Sequence, residues 1–98
     1  MKYDLLDQTP APAGWFVYYL NADKHEVWSL PIAFWALVEH HDDTIEYRPF
    51  VVGRLGQVVD FHANVDPVLC VLPPGLDHRP YVIALLPEER REEVTITN

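Results

Sequence analysis

The run Trp15-Phe16-Val17-Tyr18-Tyr19-Leu20 decides the fold class. Every position in it is apolar, and aromatic and branched side chains dominate. An extended chain of this composition is apolar on both faces and belongs in a strand covered on two sides. Upstream, Thr9-Pro10-Ala11-Pro12-Ala13-Gly14 places two prolines and a glycine where a regular ladder would be interrupted. Residues 1–14 therefore read as an extended lead-in, and residues 15–98 as a single β-rich domain. Downstream, the polar break Asn21-Ala22-Asp23-Lys24-His25 separates the first strand from Glu26-Val27-Trp28-Ser29-Leu30, so the pair reads as a hairpin.

Pro31-Ile32-Ala33-Phe34-Trp35-Ala36-Leu37-Val38-Glu39 fits two periods. Ser29 ahead of Pro31 could cap a helix, while a period of two also fits. A strand is the preferred reading, because the polar break His40-His41-Asp42-Asp43 and a further strand-like run, Thr44 to Val52, follow closely. Pro49 cannot donate to a ladder, which predicts a bulge or an edge near it. Gly53 and Gly56 bracket a tight turn, Gln57 to Phe61 reads as a short strand, and His62 to Pro67 as a loop. Val68 to Leu72 reads as a strand closed by Pro73-Pro74-Gly75, where the glycine supplies a positive φ. Leu76 to Pro80 reads as loop and Tyr81 to Leu86 as a second central strand. Pro87 to Glu93 has room for one helical turn, and the alternating tail Val94 to Thr97 suits an edge strand.

Short strands punctuated this regularly predict a mainly β fold: a small antiparallel β-barrel or strongly bent sheet of SH3-like size, with room for one short helix. The frame Trp28-Ser29-Leu30-Pro31 to Ala36-Leu37, with Phe50-Val51-Val52-Gly53 and Pro73-Pro74-Gly75, resembles small orphan β-proteins of bacteriophages and their bacterial hosts. That resemblance implies a phage or bacterial origin and no particular activity.

With 98 residues, one core is expected. Fifteen acidic residues against seven basic ones give a net charge of −8, which repels phosphate backbones and anionic membranes and argues against direct nucleic-acid binding. The lone Cys70 lies within Val68-Leu69-Cys70-Val71-Leu72, so no internal disulfide is expected and a buried, inert thiol is. The N-terminal residues lack a signal-peptide core and no apolar run reaches the length of a membrane span, so a cytoplasmic location is expected.

Two polar groupings could carry chemistry. Glu39-His40-His41-Asp42-Asp43 offers metal-ligand types, but on a strand His40 and Asp42 share one face while His41 and Asp43 share the other, and a polar hairpin turn is the preferred reading. Asp60, His62 and Asn64 alternate, which would let a carboxylate orient an imidazole for acid–base work, yet no nucleophile follows. The glycines at 53, 56 and 75 are spaced for turns rather than phosphate binding, and no cofactor, bound metal or catalytic residue is expected. Three tryptophans and five tyrosines exceed what one small core readily hides. Trp15, Trp28 and Trp35 are accordingly the candidate interaction residues.

These features together predict a non-enzymatic protein-binding or assembly module acting through an aromatic-bearing β surface and an acidic flank. One form of it would be a phage inhibitor occupying a basic groove of a host defence protein. The alternatives are a small metal-dependent or acid–base enzyme using His40, His41 or His62, with Asp60 as a polar partner, and a structural component of a virion or homo-oligomer.

Overall fold

Residues 26–40, read above as two successive strands, form one 15-residue strand around which the other strands are arranged. The structure is a computed structural model and describes residues 3–21, 25–86 and 95–96. In chain order it contains β1 (Tyr3–Pro10), β2 (Phe16–Asn21), β3 (Glu26–His40), β4 (Ile45–Val52), β5 (Val58–Asp60), β6 (Val68–Leu72), α1 (His78–Leu85) and β7 (Thr95–Ile96). The strand path is β5-β4-β3-β2-β6, with β1 and β7 also paired to β3. All pairings are antiparallel except β3 with β7. Among the described strands β5 does not meet β6, so the sheet is strongly bent and not closed into a barrel.

The bend lies in β3. Its first half pairs with β2, and its second half lies between β1 and β4. The register slips between Ile32 and Phe34, which leaves Ala33 as a bulge. An inserted residue exchanges the two faces of a strand. Trp28, Leu30 and Ile32 therefore face the main core before the bulge, whereas Trp35 faces it afterwards.

Three prolines lie within strands: two occupy positions where no ladder donor is lost, and the third has its missing donor replaced by a side chain. The bonds Ile32 N–H to Trp15 C=O (3.0 Å) and Ala11 N–H to Ala33 C=O (3.2 Å) place Pro31 and Pro10 at the intervening positions, whose nitrogens point away from β2 and β3 respectively. Pro49 points away from β3 as well, towards Phe61. Phe61 N–H donates to its carbonyl (3.2 Å), but Pro49 has no N–H to return. The fully buried Tyr19 hydroxyl donates to the Phe61 carbonyl instead, at 2.8 Å. The proline thus lies at the limit of β4–β5 pairing, as the sequence suggests.

Two apolar clusters sandwich the β2 half of the sheet. Val17, Tyr19, Leu30, Ile32 and Val51 form one, joined by Trp15, Trp28, Trp35 and Phe61; Tyr18, Val27, Val82 and Leu86 form the other. The strand at 16–21 is therefore central and covered on both faces, as its composition requires.

Tyr81–Leu86, expected as a second central strand, instead belongs largely to α1 and its C-cap. Asp77 caps the helix by accepting from Arg79 N–H (3.2 Å), and Pro80 sits in the first turn, where a missing N–H breaks no helical bond. Val82 and Leu86, four residues apart, face the second cluster, while Tyr81 and Leu85 are exposed. A short continuous apolar run has no period to distinguish strand from helix, and the cap decided it. The expected lead-in also differs: residues 3–10 are extended but hydrogen-bonded to β3 as β1. The helical turn suggested for Pro87 to Glu93 lies outside the described residues. Of the expected tail strand, Thr95–Ile96 pairs with Glu26 and Val27 at the edge of β3.

Candidate functional site

Beyond Trp35, β3 continues for five residues, roughly 17 Å of extended chain, as the middle strand of a three-stranded arm with β1 and β4. The molecule is correspondingly elongated, 42 × 28 × 25 Å. Residues paired across an antiparallel ladder share a face. The rows Gln8–Ala36–Arg48, Leu5–Val38–Glu46 and Tyr3–His40 therefore lie on one side, and Asp7–Leu37–Tyr47 and Asp4–Glu39–Ile45 on the other.

The first face carries a closed polar network. Arg48 donates through Nε and Nη2 to Asp60 Oδ2 and Oδ1, both at 2.9 Å, and through Nη1 to Glu46 Oε1 at 2.8 Å. Its guanidinium lies 5.2 Å from the centre of the Tyr3 ring and 5.0 Å from that of Phe61. The Tyr3 hydroxyl and the His62 N–H complete the Asp60 carboxylate, and His40 Nε2 lies 2.6 Å from Glu46 Oε1. Burial opposes ionisation of Asp60, but the hydrogen bonds from Arg48 and Tyr3 outweigh it and hold the carboxyl below its ordinary range. On Glu46 the hydrogen bonds from Arg48 and His40 act in the same direction. Each oxygen of Asp60 accepts two bonds, so this carboxylate is placed to bind β1, β4 and the β5 end together rather than to accept a proton from a substrate.

Of the residues singled out from the sequence, His40 and Asp60 thus join one network through Arg48 and Glu46. His41 is exposed in the β3–β4 turn, and the exposed His62 ring lies against Phe61. Among the described residues no three His, Cys, Asp or Glu side chains converge as a metal would require. The clefts at Trp28–Arg54–Asp66, at Phe16–Leu72–His78 and at Cys70–Tyr81–Leu85 are lined by none of His40, His41 and His62.

The tryptophans are half-buried against the main core. Trp15 and Trp35 meet edge to face at 5.6 Å, and Trp28 stacks on Tyr19 at 4.4 Å. Trp28 Nε1 also donates to Asp66 Oδ2 (2.8 Å), beneath the Arg54 guanidinium. The aromatic exposed on the sheet is Tyr47. It is 65% exposed, Ile45 is 57% exposed, and the half-buried Leu37 lies beside Tyr47 on this second face of the arm. Asp4, Asp7 and Glu39 occupy the same rows, and Asp42 and Asp43 lie in the turn at the tip. The alternation Ile45-Glu46-Tyr47-Arg48 was legible in the sequence, but not that its apolar face is left uncovered.

Comparison with protein-family models, with curated proteins and with solved structures returned no match to this chain.

Proposed function

We propose that this chain is a non-enzymatic protein-binding or assembly module whose contact surface is the arm face bearing Leu37, Ile45 and Tyr47, flanked by Asp4, Asp7 and Glu39. The observation that carries the reading is the exposure of Ile45 and Tyr47 on one face of a strand hydrogen-bonded to β3, next to acidic side chains and outside the core clusters. A tyrosine at the centre of an apolar patch is a frequent anchor of protein contacts, and an acidic rim speeds and selects a basic partner. The narrower form is a phage inhibitor placing this face against a basic groove of a host defence protein.

The test is affinity capture from bacterial lysate with the native chain, with Ile45→Asp and Tyr47→Asp, and with His41→Asn. Specific partners should be lost with the first two variants and at raised salt, and retained with the third. Identical partners on all four baits would refute the proposal.

A further inference from the structure

β4 has an unused edge. It pairs with β3 from Ile45 to Val51, but β5 covers its other side only from Phe50 to Val52, and the Pro49 carbonyl is taken by Phe61 N–H. His40 N–H donates to Thr44 C=O, which sets the ladder alternation: Glu46 and Arg48 direct their backbone groups towards β3, and Ile45 and Tyr47 direct theirs outward. No described strand meets those outward groups.

From this edge we infer that the partner is bound by strand addition: an extended segment alternating apolar and basic residues pairs with Ile45–Tyr47 as a fourth strand of the arm. This rests on the reading of the arm as the contact surface and specifies how that surface is used. The alternation follows from the two faces. A residue opposite Tyr47 or Ile45 lies on their side of the sheet and extends the apolar patch. Its neighbours lie on the side of Glu46. Charge complementarity fixes their sign on that side: Glu46 is exposed at the edge itself, Asp42 and Asp43 lie in the adjoining turn, and Arg48, the one Lys or Arg of the arm among the described residues, is shared between the two carboxylates of Glu46 and Asp60. Asp4, Asp7 and Glu39 lie on the opposite face, beside the apolar positions. The β1 edge is less suited, since it is interrupted by a bulge between Leu5 and Asp7 and ends at Pro10.

The geometry also says which amides of the incoming strand matter. The added strand is taken as antiparallel to β4, as β3 and β5 are, so residues opposite Tyr47 and Ile45 form hydrogen-bonded pairs, the amides of the apolar positions point at β4 and those of the basic positions point away. The probe is a blocked peptide of alternating lysine and valine, compared with two versions N-methylated either at the valines or at the lysines. Binding is measured by titration calorimetry and by amide shifts of residues 44–49. Methylated valines should weaken binding about tenfold or more, the loss of about one net hydrogen bond, while methylated lysines leave it within about twofold. Tyr47→Asp should weaken the parent peptide by about tenfold or more, with an unchanged melting temperature showing that the variant is folded. Equal weakening by both methylation patterns, or absence of binding, overturns strand addition. If partner capture is still lost with Tyr47→Asp, the arm reading survives that result, and if it is not, both fail. A concentration-dependent dimer in sedimentation that Tyr47→Asp dissolves also overturns the inference, because a second copy then occupies the edge.

Discussion

Replacing Tyr19 with phenylalanine removes one oxygen atom from the core and leaves its apolar packing in place. The hydroxyl is the donor that Pro49 cannot provide to the Phe61 carbonyl, and burial pushes the phenol pKa up, so it stays protonated as a donor. Losing a hydrogen bond here also leaves a carbonyl unpaired, and the two effects together cost about 2 kcal/mol. For a chain of this size that is a fall in melting temperature of roughly 10 °C. The ladder suggests its own rescue. Pro49→Ala restores an N–H on the side of β4 facing Phe61, so Tyr19→Phe combined with Pro49→Ala should be less damaging than the sum of the single changes by about 1 kcal/mol. Urea unfolding followed by tryptophan fluorescence measures all four corners of this cycle, with Trp28 stacked on residue 19 as a local reporter. Additive changes, or a Tyr19→Phe cost below about 0.5 kcal/mol, would refute the compensation between Pro49 and Tyr19.

Asp60→Asn should destabilise by about 2 kcal/mol near neutral pH by leaving the half-buried Arg48 short of its main partner. The folded pKa of Asp60 lies below the ordinary 3.8, so its stabilisation is present above 3.8 and is lost as pH falls through the lower folded value. Acid titration of stability should therefore be shallower in the variant, and curves of equal slope would contradict the assignment. Leu86→Ala, at a fully packed position, should cost about 2–4 kcal/mol, against less than about 0.5 kcal/mol for the exposed Leu85→Ala, as read by chemical denaturation. Asp77→Ala should cost about 1 kcal/mol through the lost cap, and no loss would place the helix start elsewhere. Burial raises the Cys70 thiol pKa, so disulfide reagents should label the native protein more slowly than the unfolded chain at about pH 8; equal rates would count against it.

The bent β architecture was legible because its decisive signals are local. Trp15–Leu20 has no polar position to turn towards water, the glycines at 53, 56 and 75 lie at the turns they predict, and His40–Asp43 separates two apolar runs. The stretch from Pro31 to Glu39 was harder because the Ala33 bulge divides it into two alternations of opposite phase, and neither half is long enough to establish a period alone. Tyr81–Leu86 was misread because its composition suits a buried strand, while the deciding cap is a single side chain four residues upstream, in Asp77. At the candidate site, His40 and Asp60 stood out as polar residues in separate segments, yet their connection runs through Arg48, which in sequence is an ordinary polar strand position. The exposure of Tyr47 and the partial burial of the tryptophans had no sequence signal, because ring size is written in the sequence and coverage is not.

The phase reversal at Ala33 leaves a trace that evolution can record. In residues 26–32 the even positions answer to the main core, whereas from 34 onward the even positions lie under the Arg48 network and the odd ones pass from Trp35 in the core to the open patch. Relatives of this chain should therefore show a substitution pattern that changes step within a single strand. The odd positions beyond Trp35, together with Ile45 and Tyr47, lie outside both core clusters and should vary more freely than the corner itself. One inserted residue thus lets a single strand diversify at one end without disturbing the other.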